Sequence, residues 1–300
     1  MKKREIIEGV IKDYDFPNKG SFELDGKKVI VKGALPGQKV SCMVSKVRKD
    51  KAEARLLDVL ERSEIEDAVP PCPQFGICGG CAYQTMSYEH QLELKAGQVK
   101  KLLDGVIDSE AHPYDWEGII GSPVTTAYRN KMEYSFGDEY KDGPLVLGLH
   151  KKNSMYDIVP VCNCVIVSED YNRIVSYTME FARAHGLSYH KKMQHVGLLR
   201  HLVLRQSKTN GGLLVNLVTS TDGLENLDLN AYVEGLLALP LDGTIVGILH
   251  TANDSLADAV VPEKVTLLYG RDYIEEEVLG LHFQILSLIH ISEPTRLRCI

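Results

Sequence analysis

Short runs of alternating apolar and polar residues dominate the first 62 positions of the chain, and they predict β-strands. Turn-forming residues separate these runs, as at Asp25-Gly26 and at Ala34-Leu35-Pro36-Gly37. The predicted strands are Ile6–Asp13, Ser21–Leu24, Lys27–Val31, Lys39–Val47 and Lys51–Leu60. Short strands that follow one another at such close spacing are typical of a small barrel, and we expect an OB-like barrel over residues 1–62.

The pattern after residue 123 mixes strand and helix periods and predicts an α/β body. In Tyr128–Phe136 the even-numbered and odd-numbered residues take opposite faces, which is typical of a half-buried strand. Ser168 is a candidate N-cap of a helix that ends near Gly186. The other predicted elements are strands at Leu145–His150, Arg200–Ser207, Leu213–Ser220 and Thr244–Thr251, and a helix at Leu229–Leu239.

A further helix is predicted between the two regions, from Ser87 to about Asp104. Its apolar residues fall on one stripe at helical spacing. They are Tyr88, Leu92, Val99, Leu102 and Leu103. We expect this stripe to be left exposed, which favours self-association; the alternative is that the helix packs on the domain that follows and nothing is exposed.

Charge is spread unevenly along the chain, whose formal net charge is −7. Residues 1–62 carry 15 Lys and Arg against 10 Asp and Glu, whereas the remaining residues carry 19 against 31. A basic region on an acidic body is typical of a charged contact module, although a solvated lysine-rich face gives the same pattern. Candidate contact residues in this region are Lys46, Arg48 and Lys49.

A second basic stretch, Lys191–Lys208, contains no Asp or Glu. Its positive charges suit the neutralisation of nucleic-acid phosphates. The candidate contact residues here are Lys191, Lys192, Arg200 and Arg205.

Composition excludes some classes of protein. Mean hydropathy is −0.13, and no run approaches the ~18 consecutive apolar residues that a membrane-spanning helix needs, so we expect no membrane partner. The seven cysteines follow no secretion signal, which indicates a reducing compartment, and we expect a cytoplasmic protein.

The strongest chemical signal is a cysteine cluster in a loop rich in glycine and proline. Cys72, Cys78 and Cys81 lie close together, and Gly79 and Gly80 tolerate the tight backbone between the last two. A fourth ligand must come from elsewhere, with Cys162 and Cys164 as the candidates. Four thiolates suit either a [4Fe–4S] cluster or structural Zn²⁺, and the spacing alone does not choose between them.

The segment Cys72–Gln84 closely resembles the cluster motif of the iron–sulfur RNA (uracil-5-)-methyltransferases, which act on 23S rRNA and, in related branches, on tRNA. Residues 1–62 resemble the TRAM domain of that family, an OB-like RNA-binding barrel. Tyr128–Phe136 resembles the signature strand of the family. Asp157–Cys164 resembles the segment that carries its fourth cluster cysteine, and this register selects Cys164 over Cys162. The resemblance runs from about residue 5 to about residue 285.

This resemblance implies an RNA uracil-C5 methyltransferase that uses S-adenosylmethionine and holds a [4Fe–4S] cluster on four cysteines. Those cysteines are Cys72, Cys78, Cys81 and Cys164. The expected partner is RNA, 23S rRNA first and tRNA second, with no DNA. Arg129 and Lys131 are further candidates for RNA contacts.

In the family a thiolate adds to C6 of uracil so that C5 can take the methyl group, and a base then removes the C5 proton. The resemblance implies that the nucleophile, the base and the S-adenosylmethionine site lie in a C-terminal doubly wound domain, so we nominate no catalytic or S-adenosylmethionine-binding residue. After Ser287 the sequence departs from the family pattern. We therefore expect that domain to be absent, this chain alone to be inactive, and residues 288–300 to be a non-native tail.

The expected fold class is thus mixed α/β. It comprises an OB-like TRAM barrel over residues 1–62 and an iron–sulfur domain over residues 63–287, without the doubly wound methyltransferase domain. The competing hypothesis is a non-catalytic RNA-binding module whose Fe–S or Zn centre is structural. An electron-transfer protein is the weaker third hypothesis, because nothing in the sequence indicates a flavin or a second cluster.

Overall fold

Two sheets, a hairpin and three α-helices make up the regular structure of the residues that can be described. The structure is a computed structural model, and it describes residues 1–108, 110–255 and 264–287. The chain divides into two units, Met1–Pro71 with Ala82–Pro123, and Cys72–Cys81 with Val124–Ile300. The predicted tail 288–300 lies outside the described residues, and the predicted domain boundaries stay predictions.

The first unit is built on a six-stranded sheet in the order β1-β5-β6-β4-β3-β2. Its strands are β1 (Ile6–Val10), β2 (Asp13–Asp15), β3 (Lys19–Leu24), β4 (Lys27–Lys32), β5 (Lys39–Val47) and β6 (Lys51–Glu61). Strands β4 and β6 pair in parallel, and the other neighbours are antiparallel. Strands β1 and β2 occupy opposite edges although only two residues separate them, so Val10 and Asp13 lie within about 11 Å of each other. The sheet therefore curls and brings its two edges close together at this corner.

Apolar side chains fill the inside of this curled sheet. Val29, Val31, Val40 and Val44 are fully buried there, and Ile11 closes the gap between β1 and β2. These residues alternate with partly or fully exposed neighbours along their strands, which is the period-two pattern visible in the sequence.

Helix α1 (Tyr88–Asp104) also belongs to the first unit. Its N-cap Ser87 accepts a hydrogen bond from the His90 N–H at 3.4 Å. The Lys101 ammonium contacts Asp13 at 2.8 Å and Asp15 at 2.6 Å. These two ion pairs connect the helix to β2. Among the apolar stripe residues, Val99 and Leu102 are 42% and 52% exposed, whereas the others are partly buried.

The second unit contains a seven-stranded sheet in the order β13-β12-β11-β10-β7-β8-β9. Its strands are β7 (Lys131–Gly137), β8 (Val146–His150), β9 (Ile158–Pro160), β10 (Leu199–Gln206), β11 (Gly212–Thr219), β12 (Thr244–Ala252) and β13 (Lys264–Gly270). Strands β11 and β12 pair in parallel, and the remaining neighbours are antiparallel.

Two helices, α2 (Glu169–Ala184) and α3 (Leu229–Leu237), supply side chains to the main core of this unit. Tyr171 and Ile174 from α2 are fully buried in this core together with Tyr134 from β7. The hairpin of β14 (Tyr273–Val278) and β15 (Leu281–Leu286) packs Ile274 against Leu214 and Leu249, in a separate apolar cluster. No helix formed by the described residues combines the length and the apolar character needed to cross a membrane.

The predicted fold class is wrong as stated. The described residues form a mixed α/β fold of largely antiparallel sheets, and nothing in this architecture indicates that a doubly wound methyltransferase domain is absent. That part of the prediction depended on the order of residues after Ser287, which lie outside the described ranges and carry no information about the fold.

Candidate thiol centre

The loop Cys72–Cys81 lies in the second unit, although the chain on both sides of it belongs to the first unit. Backbone hydrogen bonds hold it beside the end of β8. The Gly79 N–H donates to the His150 carbonyl at 2.9 Å, and the Lys152 N–H donates to the Ile77 carbonyl at 2.7 Å. A Cβ on Gly79 would lie 3.1 Å from that same His150 carbonyl, so glycine gives the loop its close approach.

Cys164 reaches the same region from the segment between β9 and α2. Its side chain is buried in the main core of the second unit, and Cys81 packs against that core from the loop. The Cys164 N–H donates to Asn172 Oδ1 of α2 at 3.0 Å, which fixes the backbone at this position. Cys162, the other candidate, is exposed.

The four predicted ligands act on one another electrostatically. Burial raises the pKa of the Cys164 thiol, the Ile166 N–H lowers it, and the charges of Cys81, Cys72 and Cys78 raise it further. Because ionised thiols repel one another at this range, a cation among them would favour the thiolate forms.

Burial likewise raises the pKa of the Cys78 thiol. The Gly80 N–H, which donates to Cys78 Sγ at 3.4 Å, lowers that pKa, and the charge of Cys72 raises it. Donation from a backbone N–H to a cysteine sulfur is a contact that stabilises the ionised form.

A buried hydroxyl lies near Cys164. Tyr134 is fully buried, and its hydroxyl has no hydrogen-bond partner among the described residues. Burial raises the pKa of Tyr134, and the charge of Cys164 raises it further, so the two side chains are close enough to interact. An unmade hydrogen bond at a buried hydroxyl costs about 1–3 kcal/mol, and a sulfur acceptor at this position would recover it. The thiol donor set and this hydroxyl therefore fit a metal–sulfur group.

Within residues 1–108, 110–255 and 264–287, no group of three or more His, Cys, Asp or Glu side chains has the geometry of an assembled metal site. The four thiols belong to the same unit.

The basic residues predicted in the first unit lie at its surface. Lys46 and Arg48 are exposed at the end of β5, and Lys49 follows in the turn to β6. The Lys27 ammonium donates to the carbonyls of Arg48 at 3.0 Å and Lys49 at 2.6 Å, which adds a fourth positive charge to this end. Lys27 is not among the contact residues predicted from the sequence. Its position beside Arg48 and Lys49 follows from the parallel pairing of β4 and β6.

In the second unit the predicted basic residues separate into two groups. Arg129 is exposed, whereas Lys131, Lys191 and Lys192 are partly exposed. Arg200 and Arg205 are only 5% and 8% exposed. Arg200 donates to the Asn253 carbonyl at 2.6 Å, and Arg205 donates to the Ser287 carbonyl at 2.9 Å. Both guanidinium groups therefore stabilise the fold from within.

No family model matches the chain. Three proteins named uncharacterized RNA methyltransferases are similar to nearly all of it. The protein from Clostridium acetobutylicum is 45% identical over 286 residues, which cover 95% of this chain and 61% of the relative. Those from Caldanaerobacter subterraneus and Clostridium tetani are 44% and 42% identical, and the chain covers 62% of each.

A solved structure has the same fold. The crystal structure of the Pyrococcus abyssi tRNA (uracil-54, C5)-methyltransferase with S-adenosyl-L-homocysteine aligns with a TM-score of 0.65 at 23% identity. The alignment covers 93% of this chain and 59% of the archaeal chain. At this identity the likeness establishes the fold alone.

This alignment overturns the predicted fold class as stated, because 93% of the chain follows the fold of this tRNA methyltransferase and nothing in the described residues indicates that a domain is absent. The expected inactivity of the chain alone is likewise unsupported. Over 95% of its length the chain is similar to proteins named RNA methyltransferases, and it spans about three fifths of the length of these curated relatives.

Proposed function

We propose that the chain acts in the methylation of uracil C5 in RNA, with S-adenosylmethionine as the methyl donor. The observation that carries this proposal is that Cys72, Cys78, Cys81 and Cys164 belong to one unit and that the first three act electrostatically on Cys164. The names of the curated relatives and the fold shared with a tRNA uracil methyltransferase support it. We propose 23S rRNA as the RNA, with tRNA as the alternative, and a cytoplasmic location.

The four cysteines would hold a [4Fe–4S] cluster. When bound, the cluster supplies covalent cross-links among loop and core, and no part of the reaction is assigned to it. The chain's own groups prepare the site: Asn172 holds the backbone of Cys164, Gly79 brings the loop against β8, and Tyr134 offers a hydroxyl donor. Contacts of this kind, made by residues around the metal ligands, generally orient those ligands in proteins.

The exposed basic end of the first unit would bind the RNA backbone. Lys46, Arg48 and Lys49 stand together there with Lys27, in a region whose charge is positive while the rest of the chain is acidic. Phosphate neutralisation by such side chains releases counterions, and the resulting affinity depends steeply on salt.

Replacing Lys46 and Arg48 together by Gln is expected to weaken RNA binding about tenfold at low salt. It should also reduce the slope of log Kd against log salt by about 1.4, which corresponds to two lost phosphate contacts on single-stranded RNA. Fluorescence anisotropy with a labelled single-stranded RNA over a salt series measures both quantities, with DNA of the same sequence as competitor.

The matched control is Lys39→Gln with Arg62→Gln, which removes one Lys and one Arg at the opposite end of β5 and β6. Each pair of substitutions also removes one ion pair to a glutamate, Arg48–Glu53 at 3.9 Å and Lys39–Glu61 at 3.0 Å. We expect the control to bind RNA like the unmodified chain. Equal salt slopes for the two variants would remove the basic end from the RNA site, and absence of RNA binding by the unmodified chain would contradict the proposed function.

A further inference from the structure

The second unit contains a cavity of about 470 Å³ that the thiol centre does not use. It lies beside the end of β7, between the segments that carry Tyr156 and Tyr189, and Lys191 and Lys192 help to line it. This volume falls within the range of pockets that hold small organic ligands.

Aromatic side chains form its walls. The Tyr189 hydroxyl donates to Asp138 Oδ2 at 2.8 Å, which fixes the ring. Burial raises the pKa of Tyr189 to about 12, and the hydrogen bond to Asp138 contributes, so the hydroxyl stays protonated. Tyr156 and Met193 face each other with the Tyr156 hydroxyl 3.8 Å from the Met193 sulfur. Tyr156 is 56% exposed and Met193 is 76% exposed, so both present apolar surface to the solvent.

Charged groups of both signs complete the lining. Asp142 and Asp157 present carboxylates, and the Lys191 ammonium lies 3.4 Å from Asp142 Oδ1 and 5.8 Å from the centre of the Tyr189 ring. Carboxylates accept hydrogen bonds but donate none, so they select ligand groups that donate, such as an exocyclic amino group. Lysine ammonium groups donate hydrogen bonds and are positively charged, so they select an anionic acceptor such as a phosphate.

We propose that this cavity receives one unstacked nucleobase of an RNA strand, and that the base carries an exocyclic amino group. An aromatic platform suits a flat base, and single-stranded RNA is generally recognised by bases stacked on such rings. Asp142 and Asp157 accept from the amino group, and Lys191 and Lys192 lie near the backbone phosphate. Uracil has no amino group and offers a single N–H donor, at N3, so two carboxylates favour adenine, cytosine or guanine, at a nucleotide other than the one methylated. The inference rests on the proposed function, because it needs RNA as the partner.

The test measures binding of the full chain to five labelled heptamers: all uridine, the same with one central adenosine, cytidine or guanosine, and the same with one central abasic site. We expect at least one of the three amino-bearing bases to improve the Kd about tenfold over the all-uridine and abasic heptamers, the size of effect that one stacked base produces. Tyr156→Ala with Met193→Ala should abolish this gain, whereas Tyr156→Phe, which keeps the ring, should preserve it.

Tyr140→Ala is the matched control, because Tyr140 is 62% exposed and does not line the cavity. Equal binding of all five heptamers by a chain that binds RNA would overturn the pocket and leave the proposed function standing. Absence of binding to every heptamer would overturn both. If adenosine monophosphate binds and RNA does not displace it, the cavity is a site for a free nucleotide and the RNA assignment is wrong.

Discussion

Cys164→Ser is expected to abolish binding of the proposed iron–sulfur cluster, whereas Cys162→Ser is expected to leave it intact. Cys164 is buried in the core beside Cys81, and the charges of all three loop cysteines act on it, whereas Cys162 is exposed. After anaerobic reconstitution the unmodified chain and the Cys162 variant should hold about four irons per chain with broad visible absorption, as a [4Fe–4S] cluster on four cysteines does. The Cys164 variant should hold a small fraction of that iron.

The two variants make the same chemical change two residues apart, so a general effect of losing a thiol would appear in both. Loss of iron in the Cys162 variant with retention in the Cys164 variant would show that the register is wrong. If anaerobically purified protein held one zinc per chain and no iron, the four cysteines would form a zinc site and the cluster proposal would be wrong.

Gly148→Ala is expected to destabilise the second unit by about 3 kcal/mol or more. Gly148 lies in β8 opposite β9. A Cβ at this position would clash with the Val159 carbonyl group, much closer than van der Waals contact allows. Backbone atoms cannot rotate away as a side chain does, so the two strands must separate, and overpacking of this kind has a large cost. Because β8 also holds the Cys72–Cys81 loop through His150, we expect iron incorporation to fall as well.

Gly97→Ala is the matched control for this substitution. Gly97 lies exposed in α1 with nothing within 4 Å of an added Cβ, and alanine favours a helix over glycine by about 1 kcal/mol. Thermal unfolding should therefore show a lower Tm for Gly148→Ala and an equal or higher Tm for Gly97→Ala. An unchanged Tm for Gly148→Ala would mean that the β8–β9 pairing is not formed as described.

Local elements were predictable because their patterns are local. The strands expected at Leu145–His150, Arg200–Ser207 and Thr244–Thr251 correspond to β8, β10 and β12 within one residue at each end, since each combines strand periodicity with clear turn signals. The strand expected from Tyr128 begins instead at Lys131. The residues before it bond elsewhere, with the Arg129 N–H donating to the Ile166 carbonyl at 2.9 Å.

Tertiary placement was not predictable in the same way. The charge pattern treats Arg200 and Arg205 like Lys191, yet the two arginines point to backbone carbonyls inside the fold. Period-two spacing puts Cys162 and Cys164 on one face only within a strand. Both cysteines lie beyond the end of β9 at Pro160, so this spacing does not decide where their side chains lie. The cavity at Tyr189 joins segments more than 50 residues apart, such as Asp138 and Tyr189, and no local pattern signals such a meeting.

Quantification of 5-methyluridine tests the central claim most directly. The gene that encodes this chain would be deleted from its source organism, and nucleosides from separated rRNA and tRNA would be measured by mass spectrometry. The proposed function predicts that 5-methyluridine disappears from a site in one of these RNAs, rRNA first, and returns when the gene is restored. Unchanged 5-methyluridine in both rRNA and tRNA would contradict it.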